Sequence, residues 1–234
     1  MSAASDLRVV LHMLRGMPRS GDAASRLQAF YAPQASAYDD FRERLLQGRR
    51  ELIEQLELPR CARVVELGAG TGRNLDHFGQ RLNAFESVDL VDLCPALLAE
   101  ARQRAAPFPN VRVVEGDATS YRPAHSVDCV IFSYSLTMIP DWNAALGNAM
   151  AMLKPGGLLA VVDFTVSPQQ GRLASLFWRA WFGHDGVRLN AEHVSALRGL
   201  CRDHAVEERR APIPYLPGLR VPYYLFIGRA GFAA

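Results

Sequence analysis

The nine residues Val64-Val65-Glu66-Leu67-Gly68-Ala69-Gly70-Thr71-Gly72 constrain this chain more than any other stretch. An apolar run carrying one acid breaks into three glycines at alternate positions. Glycine is needed where the backbone turns sharply, or where a ligand must approach without a Cβ in the way. Arg73-Asn74-Leu75-Asp76-His77-Phe78 follows and can begin a helix. Strand, glycine turn and helix in that order form the nucleotide pocket of a doubly wound α/β fold. A dinucleotide fingerprint reads G-x-G-x-x-G; here the third glycine arrives one residue early and Arg73 stands in its place. The spacing argues against a bound pyrophosphate, and so against a nicotinamide dehydrogenase.

Strand-like runs recur at Arg63–Leu67, Ser87–Asp92, Val111–Glu115, Val127–Ser133 and Leu158–Val166, with helical or turn-rich segments between them. That alternation predicts a parallel sheet covered on both faces. Leu153-Lys154-Pro155-Gly156-Gly157-Leu158 reads as the turn that introduces the fifth strand. Two further strands are expected around Val206–Ala211 and Tyr223–Arg229. Asp92 closes the second run, and a carboxylate at a strand tip can accept both hydroxyls of a ribose. Asp89 competes for that role but lies inside the strand, so Asp92 is preferred. Asp117 follows the third run.

The acid two residues before the first glycine resembles motif I of the class I S-adenosylmethionine (SAM) methyltransferases. The resemblance implies a Rossmann-like fold with a seven-stranded, mostly parallel sheet and an antiparallel last strand. It also implies a cofactor site. Glu66, Gly68, Gly70 and Gly72 would pass the methionine part of SAM. Asp92 would hold the ribose, with Leu93 opening the family's turn into the next helix. Asp117 would accept from the adenine amino group and Ala118 N–H would reach the ring. Ser133 leaves the fourth strand beside the crevice. In Phe30-Tyr31-Ala32-Pro33-Gln34-Ala35-Ser36-Ala37-Tyr38-Asp39, Tyr31 or Tyr38 could cover the sulfonium, since an aromatic face attracts a cation.

The length suits one domain with additions: a cap over residues 1–51, a SAM-binding core over 52–166, an acceptor-site insertion over 167–204 and a strand pair over 205–234. The 26 basic and 24 acidic residues leave a net charge of +2, which gives no electrostatic case for nucleic acid. Cys61, Cys94, Cys129 and Cys201 are far apart in sequence and form no C-x-x-C pair, so neither disulfide nor metal is expected. No apolar run reaches transmembrane length and no signal pattern opens the chain, which leads to the expectation of a cytoplasmic protein. Leu7, Val10, Leu11, Leu14 and Met17 recur at helical spacing. A helix docked over the active site or on a partner subunit is favoured there over one lying on a membrane surface.

Several segments outside the SAM motifs resemble a narrower group, the diacylglyceryl-homoserine N-methyltransferases of betaine-lipid synthesis. They are Phe30–Ala35, Phe132-Ser133-Tyr134-Ser135-Leu136-Thr137-Met138-Ile139-Pro140-Asp141-Trp142, Trp181–Val187 and Tyr215–Phe226. The resemblance implies a lipid amine acceptor, three successive methyl transfers, peripheral contact with a membrane and a functional link to a homoserine-transferring enzyme. Tyr134, Tyr223 and Tyr224 could surround an ammonium that becomes quaternary, or could simply pack in the last strand pair. Arg188 or Arg220 could pair with the homoserine carboxylate. His184, inside the insertion, could take the proton released before methylation, or could make only a structural hydrogen bond. A quinone precursor, phosphatidylethanolamine, or a non-catalytic SAM sensor or partner subunit are the competing readings.

Overall fold

In the computed structural model the described residues are 18, 20–32, 45–166, 176, 178, 182–183, 187–212 and 218–231. The expected helix over Leu7–Met17, and Tyr38 and His184, lie outside them. Seven strands form one sheet: β1 Arg63–Leu67, β2 Ser87–Asp92, β3 Val111–Glu115, β4 Val127–Ser133, β5 Leu153–Phe164, β6 His204–Pro212 and β7 Arg220–Arg229. Their order is β3-β2-β1-β4-β5-β7-β6. β7 runs antiparallel to both of its neighbours, while the pairings among β1 to β5 are parallel. This is the seven-stranded Rossmann-like sheet that the sequence predicts.

Both faces of the sheet are covered because successive residues of each central strand point to opposite sides and both sets are apolar. Val64, Leu90, Cys129, Ile131, Ala160 and Val162 join one core. Val65, Leu67, Val91, Val130, Phe132, Leu159 and Val161 join the other. Helices α1 Ala23–Tyr31, α2 Arg49–Gln55, α3 Asn74–Phe78, α4 Pro95–Ala105, α5 Trp142–Met152 and α6 Glu192–Leu200 complete the described elements, with 3₁₀ turns at Gly79–Ala84 and Leu136–Met138. α2 and α3 pack on the first face; α5 and α6 pack on the second.

The fifth strand begins earlier than expected. Leu153 already pairs with Val127, and the register then shifts so that Leu158 pairs with Cys129. The Lys154–Gly157 turn is therefore a bulge inside β5. A Cβ on Gly157 would sit 3.0 Å from the Lys154 carbonyl oxygen. Asp128 fixes the bulge, accepting from Lys154 Nζ at 2.8 Å through both of its oxygens while also accepting from the Arg63 N–H.

Strand order reverses between β1, whose next strand lies on one side, and β4, which lies on the other. At such a switch point the loops leaving the carboxyl ends of adjacent strands diverge and open a crevice. α1 is one described part of the cap that reaches this crevice, and Leu46 and Arg49 are others. Asp22 caps α1 by accepting from the Ser25 N–H at 2.8 Å. Its apolar side joins Phe30 and Tyr31 to Cys94 and Leu97 on and before α4.

Candidate active site

A cavity of about 440 Å³ opens at the switch point. Its floor is the turn after β1. Gly68 has φ +72°, and a Cβ there would lie 2.3 Å from the Ser135 Cβ on the turn after β4. Gly70 has φ +55°, and its N–H donates to Asp92 Oδ2 at 2.8 Å. The glycines thus let two turns approach each other and let one backbone donor face the second strand's acid.

Asp92 sits at the tip of β2, and its other oxygen accepts from the Cys94 N–H at 2.8 Å. Burial pushes its carboxyl above the ordinary aspartate range, opposed by the N–H groups of Cys94, Gly70 and Leu93. Asp89 points elsewhere. Its carboxylate takes a two-pronged contact from Arg112 at 2.7 and 2.6 Å and a third bond from the Tyr121 hydroxyl at 2.6 Å. Strand alternation separates the two acids, and only Asp92 lines the cavity.

Glu66 is buried at the cavity's other end. Asn74 Nδ2 donates to its Oε1 at 2.8 Å. Its carboxyl is pushed up to about 8, chiefly by burial, with Asn74 and the Arg49 charge acting against that rise. Arg49 and Asn74 both line the cavity beside it. Asp117 and Ala118 close the far wall with Gly116 and Thr119. Asp117 Oδ1 accepts from the Thr119 N–H and hydroxyl, both at 2.7 Å, which fixes the side chain beside the crevice. The Ala118 carbonyl is held by Asn148 Nδ2 at 2.8 Å.

The fourth strand ends on the same cavity. The Ser133 hydroxyl oxygen is buried and, among the described residues, has no hydrogen-bond partner. Tyr134 adopts φ +55°, unusual for a residue with a Cβ, and its N–H donates to the Val162 carbonyl. Its hydroxyl donates to the Gln47 carbonyl at 2.6 Å, and burial raises the phenol well above its ordinary value. Leu27 and Tyr31 of α1 roof the cavity, joined by Leu46, Met138 and Ile139. Tyr31, one of the two tyrosines expected to cover the cofactor, lines the cavity, while Tyr38 lies outside the described residues.

Glu66, Gly68, Gly70, Asp92, Leu93, Asp117, Ala118, Ser133 and Tyr134 are therefore brought together. Gly72 turns just below them, where a Cβ would meet Leu90 Cδ1 at 2.9 Å. There it packs the turn closely on the strand and does not line the cavity. Three expected acceptor residues do not line the cavity. Tyr223 is buried in β7 opposite Phe164. Arg220 sits at the β6–β7 corner and donates to the Arg210 carbonyl at 3.3 Å. The Arg188 side chain is exposed, but its N–H donates to the Thr137 carbonyl at 2.8 Å, one residue from the cavity wall. Arg49 went unnoticed in the sequence because nothing local marks it, and only the packing of α2 against α3, β5 and β7 brings it in.

Residues 64–157 match the family model described as a methyltransferase domain. This is a class I methyltransferase that uses S-adenosylmethionine. The methyltransferase is 29% identical to the 2-phytyl-1,4-naphtoquinone methyltransferase of Thermosynechococcus vestitus, over 72% of this chain and 76% of that one. It is 33% identical to the trans-aconitate 2-methyltransferase of Variovorax paradoxus, over 53% of this chain and 46% of that one. In fold it is similar to an O-methyltransferase family protein from Burkholderia thailandensis. The TM-score is 0.66 at 20% identity, covering 97% of the methyltransferase and 69% of the other chain.

The cavity fits the cofactor. Asp92 and Asp117 offer carboxylate acceptors that suit sugar hydroxyls and an amino group, and the buried Ser133 hydroxyl has no partner among the described residues. When bound, SAM supplies an electrophilic methyl group on a sulfonium. The methyltransferase contributes a shaped cleft and positioned partners, which is where rate enhancement by orientation comes from. Among the described residues no group of His, Cys, Asp and Glu could hold a metal, and no helix is long and apolar enough to cross a membrane.

Proposed function

We propose that the enzyme N-methylates the amine of a diacylglyceryl-homoserine lipid in three successive transfers, giving the trimethyl betaine lipid. The observation that carries this reading is the wall facing the Glu66–Asp92 floor. Tyr31 and Tyr134 come from two of the segments that resemble the betaine-lipid enzymes, and they line one cavity with Leu27, Leu46, Met138 and Ile139. Aromatic rings and alkyl groups tolerate an ammonium that loses its N–H donors one by one, whereas a site built on hydrogen bonds would reject the later intermediates. Among the described lining residues there is no histidine, lysine or cysteine. That suits an acceptor bringing its own lone pair as a free amine. Arg188, tethered beside the wall, is the guanidinium for the homoserine carboxylate. A lipid acceptor would bring a cytoplasmic chain to a membrane face, and a homoserine-transferring enzyme would supply it.

A quinone-type acceptor is the second reading, favoured by the match to a naphthoquinone methyltransferase over most of the chain. Purified enzyme, SAM and diacylglyceryl-homoserine should yield mono-, di- and trimethyl products in order by mass spectrometry. Efficient methylation of a naphthoquinone or of phosphatidylethanolamine, with the homoserine lipid untouched, would sink the amine-lipid reading.

A further inference from the structure

The last two residues of β5 point to opposite faces and hold the cavity wall from both. Asp163 is fully buried. Its carboxylate accepts from the Thr137 N–H at 3.0 Å and the Thr137 hydroxyl at 2.7 Å. It also accepts from the Phe164 N–H at 2.8 Å. Thr137 is the middle of the 3₁₀ turn Leu136–Met138, and Met138, Ile139, Pro140 and Asp141 run from it along the cavity. The turn's other end is pinned by Ser135, whose hydroxyl donates to the Leu67 carbonyl at 2.7 Å. The Thr137 carbonyl then accepts from the Arg188 N–H at 2.8 Å. On the opposite face, Phe164 lies between Tyr134, 4.6 Å away by ring centroid, and Phe182 of the insertion, 4.5 Å away.

We propose that Asp163 and Thr137 are positioning residues that seat the insertion's segment 187–190 against the acceptor wall of the cavity. Neither touches the cofactor floor. A buried carboxylate is costly unless its oxygens are satisfied, and here three donors satisfy it, two of them from the single residue that also receives the insertion's backbone. A hydrophobic residue at this place would pack at lower cost. The expense is explained by what the carboxylate aligns: one hydrogen-bonded chain from β5 through the turn after β4 to Arg188. The Tyr134–Phe164–Phe182 row makes the matching apolar link on the other side. The inference rests on methyl transfer at this cavity, not on which acceptor enters it.

Thr137→Val removes the hydroxyl and keeps shape, and Thr137→Ser keeps the hydroxyl. Hydrogen exchange by mass spectrometry, without any acceptor, should show faster exchange at 136–141 and 187–190 in Thr137→Val and wild-type rates in Thr137→Ser. SAM affinity by calorimetry should stay within about twofold in both, while the KM for diacylglyceryl-homoserine should rise about tenfold or more in Thr137→Val, as expected for a lost bond to a charged group. Should Thr137→Val not fold, Asp163→Asn carries the same measurements. Unchanged exchange at 187–190 would overturn the proposal, as would SAM affinity falling as much as acceptor affinity. A wild-type enzyme inactive on the homoserine lipid would sink the acceptor reading alone and leave the exchange result to decide.

Discussion

Two acids three positions apart on one strand have opposite fates here. Asp89 and Asp92 belong to the same short strand, yet Asp89 is spent on Arg112 and Tyr121 while Asp92 faces the cavity. Asp92→Ala should weaken SAM binding by about 1–3 kcal/mol, the cost of losing a charged acceptor. Asp89→Asn should lower the melting temperature and leave SAM affinity nearly unchanged. Calorimetric titration of both variants checks this, and a reversed pattern would move the ribose site. Glu66 gives a pH prediction. Its folded value of about 8 stands above the ordinary 4.5, so the folded apo state holds a proton that the unfolded state releases. Its contribution to apo stability should therefore fall as pH rises between those two values. A cationic ligand favours the ionised carboxylate, so SAM affinity should rise over the same window and binding should release protons. Calorimetry in buffers of different ionisation enthalpy counts them, and Glu66→Gln should abolish the release.

Helix α4 lacks a side-chain cap of its own, since Cys94 makes no capping bond. Gln28 of α1 supplies one from a distance: its Oε1 accepts from the Ala96 N–H at 3.1 Å and faces the Cys94 thiol at 3.4 Å. The bond ties the described roof helix to the element that follows Asp92. Gln28→Ala should cost about 0.5–2 kcal/mol, as for loss of an N-cap, and should speed SAM dissociation more than it changes association. Stopped-flow displacement measures both rates, and an unchanged off-rate would remove α1 from cofactor retention. The strands were legible at this scale because alternating apolar runs between turn residues have one reading in a covered sheet. The first four match residue for residue. β5 did not, because Pro155 and the two glycines read as a break, whereas Asp128 on the neighbouring strand holds them as a bulge. That partner is 26 residues away in sequence.

At the scale of the whole molecule, the antiparallel β7 wedges between β5 and β6. Its glycine is tightly enclosed: a Cβ on Gly228 would lie 2.5 Å from the Cys201 Cβ and 2.8 Å from the Phe226 ring. Gly228→Ala should destabilise the fold by about 1–3 kcal/mol, the usual cost of overpacking. Thermal melts check this, and an unchanged melting temperature would show that the sheet end can yield. α6 brings a similar surprise. His193 is buried against Trp142 with ring centroids 4.6 Å apart, and burial pulls its imidazole down to about 4, so it is a neutral core residue at physiological pH. Nothing in its local sequence marks it. The sequence by itself determined the sheet, the glycine turn, and the acids at Glu66, Asp92 and Asp117. Those signals are local, since strand period, turn chemistry and strand-tip position lie within a few residues of each other. Only the tertiary structure decided which cations and rings meet the cavity. Arg49 and Tyr31 enter it, Arg220 and Tyr223 do not, and Arg188 is tied to its edge. Those choices follow from how helices and late strands pack across the sheet, and packing between distant segments leaves no spacing rule in the chain.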